Sequence, residues 1–137
     1  MAKYKIGMVA AEFNYEITSL MVARAKSQAD FLGVEITKTI MVPGVFEVPL
    51  AVKSLISDND IDAVITLGAV IEGETEHDEV VMGQASRKIM DLSLEYDKPV
   101  AFGLTGPGMT ELQAMDRIEK GAQVVDAAVK MLQRLKK

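Results

Sequence analysis

Four stretches of the chain, residues 6–10, 36–42, 63–68 and 100–104, are dense in apolar and β-branched side chains. Such short runs, with little polar alternation, predict strands buried on both faces, as in a parallel sheet. Between them the apolar positions change to helical spacing. Ile17, Leu20, Met21, Ala25, Gln28 and Leu32 fall largely on one face of a helix that Gly33 can end. A shorter helix is predicted after Pro49, passing Leu50, Lys53, Ser54 and Ser57 before Asp58-Asn59-Asp60 stops it. Val81, Ala85, Ile89, Leu92 and Tyr96 stripe a long third helix, and Ile118, Ala122, Val125, Val129 and Leu132 stripe the last.

Strands alternating with helices imply right-handed crossovers and a parallel sheet covered on both faces. The predicted fold is α/β: a three-layer α/β/α sandwich with a four-stranded parallel sheet in flavodoxin-like order. A chain of 137 residues suits one hydrophobic core, and no repeat or linker interrupts it, so residues 1–137 are read as a single domain. Open parallel sheets bind ligands just beyond the carboxyl ends of their strands. Four segments fall there: Phe13-Asn14, residues 43–49, residues 68–77 and residues 105–110.

The net charge of −5 argues against nucleic acid as a partner, since phosphate backbones are held by excess Lys and Arg. The absence of cysteine removes disulfides, thiolate nucleophiles and cysteine-held metals from consideration. Residues 1–5 are short and polar, unlike a signal peptide, and no apolar run approaches the roughly 20 residues of a membrane span. A cytoplasmic protein with no membrane partner is expected. Without Trp, the core must be built from Val, Ile, Leu, Met and Ala.

His77 is the only histidine, and imidazole is the side chain that exchanges protons near neutral pH. Thr75 followed by Asp78 resembles a capping box, which puts His77 in the first turn of the third helix, where unpaired N–H groups can accept a phosphate. A surface histidine with no function is an equal alternative from position alone. Glu72, Glu74, Glu76, Asp78 and Glu79 crowd the same turn, so a phosphate there needs a cation from elsewhere, and Arg117 is the best candidate. Pro43-Gly44-Val45-Phe46-Glu47-Val48-Pro49 reads either as a rigid strand-to-helix connection capped by Glu47 or as a binding loop. Phe13 reads either as a core plug or as a flat surface for a ligand ring, and Gly106-Pro107-Gly108 as a turn.

In order and spacing, these segments resemble the lumazine synthase family and its archaeal-like members. The features are Phe13-Asn14; the Pro-Gly-x-x-Glu-x-Pro run at 43–49; Gly68-Ala69-Val70-Ile71-x-Gly73-x-Thr75-x-His77; and Pro99-Val100-x-Phe102-Gly103 leading to Gln113-Ala114 and Arg117. The resemblance implies condensation of 5-amino-6-(D-ribitylamino)uracil with 3,4-dihydroxy-2-butanone 4-phosphate, without cofactor or metal. The product is 6,7-dimethyl-8-ribityllumazine, the penultimate intermediate of riboflavin biosynthesis. It implies that Phe13, beside Asn14, stacks on the pyrimidine, that Val45, Phe46 and Glu47 bind the ribityl chain, and that the backbone of Ala69, Val70 and Ile71 reads the pyrimidine edge. Gly73, Glu74 and Thr75 with Arg117 would hold the phosphate, and His77 would move protons. Phe102 and Arg117 would come from a neighbouring subunit, since the family forms pentamers or icosahedral shells of pentamers with shared sites.

The chain departs from the family pattern at Glu72, where a basic residue is common, at Asp78-Glu79 after the histidine, and in a shorter connection after Arg117 that bears Lys120-Gly121. Two alternatives share the pattern: an archaeal-type riboflavin synthase, and a flavin- or lumazine-binding protein without catalysis. A receiver domain is disfavoured because the first and third strands end in Ala10-Ala11 and Leu67-Gly68 rather than in acids. If the resemblance holds, His77→Ala should slow lumazine formation by about 10²–10⁴-fold without abolishing it, because proximity of the reactants persists. Unchanged turnover in an absorbance assay would remove His77 from the mechanism.

Overall fold

The computed structural model of the chain describes residues 3–71 and 78–137. Its strands are β1 (Lys5–Ala11), β2 (Glu35–Val42), β3 (Ala63–Ile71) and β4 (Val100–Met109). Its helices are α1 (Tyr15–Leu32), α2 (Val48–Ile56), α3 (Asp78–Tyr96), α4 (Glu111–Asp116) and α5 (Lys120–Arg134). A single 3₁₀ turn, Val45–Glu47, leads into α2. All strand pairs are parallel in the order β2-β1-β3-β4, the flavodoxin-like arrangement expected from the sequence.

Two apolar layers enclose the sheet. On one face Ile6, Met8, Ile65 and Leu67 pack against Ile17, Met21 and Ala25 of α1 and Val125, Ala128 and Leu132 of α5. On the other, Val9, Val64 and Leu104 pack against Val48, Val52 and Leu55 of α2 and Met82 and Ile89 of α3. β3 is the central member, buried from Ala63 through Ala69. Within it Thr66 is fully buried, and its hydroxyl is satisfied in both roles: it donates to the Ala101 carbonyl (3.2 Å) and accepts from the Gly103 N–H (3.1 Å).

Three expectations are corrected. β2 is an edge strand with only Val42 buried and half its residues exposed, because the helices cover its faces only in part. On α1 the buried face is Ile17, Thr18, Met21, Ala25 and Ala29, so Leu20 and Leu32 point outward and the stripe is rotated from the one expected. Gly106-Pro107-Gly108 is not a turn: β4 continues through it to Met109. Ala69 pairs with Thr105 and Ile71 with Met109, so three residues of β4 stand opposite Val70 alone. This bulge needs a glycine. Gly106 has φ +108, and a Cβ there would lie 2.5 Å from the Val70 carbonyl oxygen.

Polar ties hold the amino-terminal edge of the sheet, away from the predicted site. Lys98 Nζ donates to the carbonyls of Ile56 and Asp58, both at 2.9 Å, and Lys38 pairs with the Asp58 carboxylate. The hydrogen bond from Lys38, and then that from the Asp60 N–H, hold the Asp58 carboxyl below its usual range. A depressed carboxyl contributes stability above its unfolded pKa and loses it as pH falls through the folded value.

α1 and α5 approach closely. A Cβ at Gly121 would lie 2.0 Å from the Met21 carbonyl oxygen, a backbone atom that has no rotamer with which to retreat. Gly121→Ala should therefore destabilise the fold by about 1–3 kcal/mol through forced separation of the two helices. A lowered denaturant midpoint with an unchanged slope would register it.

Candidate active site at the carboxyl ends of the strands

Just past β1 the chain turns sharply into α1. Asn14 makes that turn in the left-handed region (φ 59, ψ 46), a conformation asparagine tolerates better than most residues, and its carbonyl accepts the N–H groups of Ile17 and Thr18. Its side-chain amide donates to the Ala69 carbonyl at 2.8 Å, tying the end of β1 to the end of β3. From the other side, Thr105 of β4 donates its hydroxyl to the Gly68 carbonyl at 3.2 Å. Two consecutive carbonyls of β3 are thus held by side chains from its two neighbours. Phe13, beside Asn14, is 53% exposed and free to present a ring face rather than to plug the core.

After β2, Gly44 is extended and Val45–Glu47 form the 3₁₀ turn. Val45 packs on the α2–α3 core, whereas Phe46 is 77% exposed. Glu47 occupies the N-cap position of α2 but makes no capping hydrogen bond, so the expectation of a capping carboxylate fails. The carboxylate lies instead near Gly44, where a Cβ would meet its Oε1 at 3.5 Å. With the cap left to backbone geometry, the acid is available to a ligand.

A second grouping lies along β4, the opposite edge strand from β2. There Phe102, Thr105 and Gly106 face the junction of α4 and α5 across a cleft of about 420 Å³, which Arg117 and Lys120 line together with Asp116 and Glu119. Arg24 of α1 grips Glu119 with both ends of its guanidinium, Nε to Oε1 at 2.5 Å and Nη2 to Oε2 at 2.9 Å. Arg24 holds the Glu119 carboxyl below its ordinary range, chiefly by hydrogen bonding.

The residues singled out from the sequence therefore fall into two groups. Phe13, Asn14 and Ala69 share one end of the sheet, with Val45, Phe46 and Glu47 following the adjacent β2; Val70 and Ile71 are half-buried at the end of β3. Phe102 and Arg117 share the β4 cleft, whose lining includes none of the first group. Gly73, Glu74, Thr75 and His77 lie outside the described residues. Thr105 and Lys120 join the second group; Thr105 belongs to no motif, and its position closing a strand was its only signal.

Comparison with known proteins is consistent over almost the whole chain. The profile of the 6,7-dimethyl-8-ribityllumazine synthase family matches residues 3–136. A 6,7-dimethyl-8-ribityllumazine synthase of Methanothermobacter thermautotrophicus is 60% identical over 136 residues, covering 99% of this chain and 98% of that one. Those of Picrophilus torridus and Methanocaldococcus jannaschii are 58% and 57% identical, each covering 96% of this chain and 97% and 93% of their own.

The turn made by Asn14 and its bond to Ala69 can be separated. Asn14→Gly keeps the left-handed turn and loses the side-chain amide with its bond to Ala69, costing about 0.5–1.5 kcal/mol for that hydrogen bond. Asn14→Ala adds a backbone penalty of about 1–2 kcal/mol. Denaturation midpoints should fall in the order wild type, Gly variant, Ala variant; equal midpoints for the two variants would mean that backbone strain at this turn is immaterial.

Proposed function

The chain belongs to the 6,7-dimethyl-8-ribityllumazine synthase family, and from that premise we propose how its residues divide the work of the family's reaction. It is a transferase of riboflavin biosynthesis, condensing 5-amino-6-(D-ribitylamino)uracil with 3,4-dihydroxy-2-butanone 4-phosphate to 6,7-dimethyl-8-ribityllumazine. The relatives' names favour this condensation over the lumazine dismutation weighed from the sequence.

In our assignment Phe13 stacks on the pyrimidine, Glu47 and the backbone of Val45 and Phe46 take the ribityl hydroxyls, and the strand end from Ala69 to Ile71 reads the pyrimidine edge. Asn14 acts through Ala69, fixing that edge. In the same assignment Gly73, Glu74 and Thr75 meet the phosphate, Arg117 supplies its countercharge, and His77 carries protons between the amine, the carbonyl oxygen and the leaving groups. The chemistry suits these groups: imine formation, loss of phosphate and ring closure need proton transfer and anion binding, and none needs a nucleophile from the protein.

The separation of the two groups carries the next step. β3 lies between β1, which ends at Phe13-Asn14, and β4, along which Phe102 and Arg117 sit. We assign each complete site to two copies, the pyrimidine half from one and the Phe102–Arg117 half from the next, in a pentamer or a shell of pentamers. Exposed apolar side chains on the α2 and α3 side support an assembly: Phe46, Leu50, Val80, Met90 and Leu94 are each at least 64% exposed, more than a lone protein usually displays together. Among the described residues no helix is long and apolar enough to cross a membrane, so this surface is not a spanning segment.

Arg117→Ala should raise KM for the phosphorylated ketone about tenfold or more, the scale of a lost charge-assisted contact, with KM for the pyrimidine little changed. Phe13→Ala should do the reverse. Co-assembling the two impaired variants in equal amounts should restore about a quarter of wild-type activity, because head-to-tail interfaces then recreate intact sites at random. Activity no higher than the average of the two variants would place both residues in the same copy's site.

A further inference from the structure

The β4 cleft carries two cations and two carboxylates: Arg117 and Lys120 against Asp116 and Glu119. Left to themselves these charges cancel, which is a poor receptor for a phosphate ester. Glu119 is the more consequential acid, since it lies in sequence between the two cations and lines the same cleft. Yet both of its oxygens are occupied by Arg24, which reaches over from α1, 95 residues away in sequence. The close approach of α1 to α5, with the Met21 carbonyl lying where a Cβ of Gly121 would be, brings Arg24 within reach of Glu119.

We propose that Arg24 is a positioning residue for the anion half of the site: by engaging the Glu119 carboxylate from outside, it keeps Arg117 and Lys120 available for the phosphorylated substrate. This rests on the assignment of Arg117 to the phosphate. With Glu119 neutralised by Arg24, the cleft presents two cations against Asp116 alone, a net positive charge in a chain whose total is −5. The planar guanidinium suits the task better than an ammonium would, since its fork fills both carboxylate oxygens at once. Without it, Glu119 becomes an internal competitor with the phosphate for the two cations.

The experiment measures, on the assembled enzyme, KM for each substrate and the inhibition constant of inorganic phosphate in Arg24→Gln, Glu119→Gln, the double variant and Arg117→Ala. In Arg24→Gln, the ketone KM and the phosphate inhibition constant should both rise about two- to fivefold, the scale of one exposed charge contact. KM for the pyrimidine should stay unchanged. In the double variant both constants should return to within about twofold of wild type, because removing the competitor removes the need for its keeper. A brace that only holds α1 to α5 gives the opposite result, with the double variant as impaired as Arg24→Gln, and that would overturn the proposal. So would an unchanged Arg24→Gln beside an impaired Arg117→Ala. If Arg117→Ala is itself unchanged for ketone and phosphate, the assignment of Arg117 fails and the role of Arg24 falls with it.

Discussion

The parallel pairing of β3 with β1 and β4 is the constraint on which the site depends. Its register sets Ala10 beside Leu67 and Leu67 beside Gly103, so the residues that follow emerge at one level of one edge. A slip of one residue would turn every side chain of the slipped strand to the opposite face. Apolar packing alone resists that weakly here, because both faces of β3 are buried and both are apolar. Thr66 adds a directional tie between β3 and β4. Its hydroxyl fits between the Ala101 carbonyl and the Gly103 N–H, and parting the two strands would leave a buried polar group without those partners.

Small residues then decide how closely the outer layers approach. A Cβ at Gly103 would lie 2.3 Å from the Thr66 carbonyl oxygen and 2.8 Å from a methyl of Val124, so the missing side chain lets α5 settle onto β4. Gly121 does the same between α5 and α1. Together they let α5 lie close to β4 and α1, beside the cleft that Phe102 and Arg117 both line. The bulge of β4 opposite Val70 works alongside them, extending the strand to Met109 instead of ending it in a turn.

How much of this was legible in the sequence follows from which interactions are local. The strands, the helix stripes of α3 and α5, and the placing of Phe13, Glu47 and Arg117 beyond strand ends all follow from periodicity and from the geometry of parallel sheets. β2 was misjudged because a dense apolar run does not reveal how far helices cover the two faces of a strand. Gly106-Pro107-Gly108 was misjudged because a turn and a glycine-dependent bulge draw on the same residues, and only the Val70 carbonyl across the sheet tells them apart. The left-handed Asn14 and the Arg24–Glu119 pair depend on partners 55 and 95 residues away, and no local pattern announces them.

An acidic chain that handles an anionic substrate must concentrate its few cations rather than rely on its overall field. Here many of the acids, among them Glu16, Asp30, Asp91, Glu95 and Asp126, lie on exposed helix faces, where solvent screens them, while Arg117 and Lys120 are gathered at one cleft. Concentration alone is insufficient, because the helices that carry the cations also carry Asp116 and Glu119. In the proposal for Arg24 the balance is tipped by allocation: one carboxylate is drawn off by a guanidinium from a different helix, and the two cations are left to the substrate. In the two-copy site we propose, a cleft along the sheet's edge strand is the half that a second copy completes. That proposal and the one for Arg24 thus draw on the same placement of the cations beside β4.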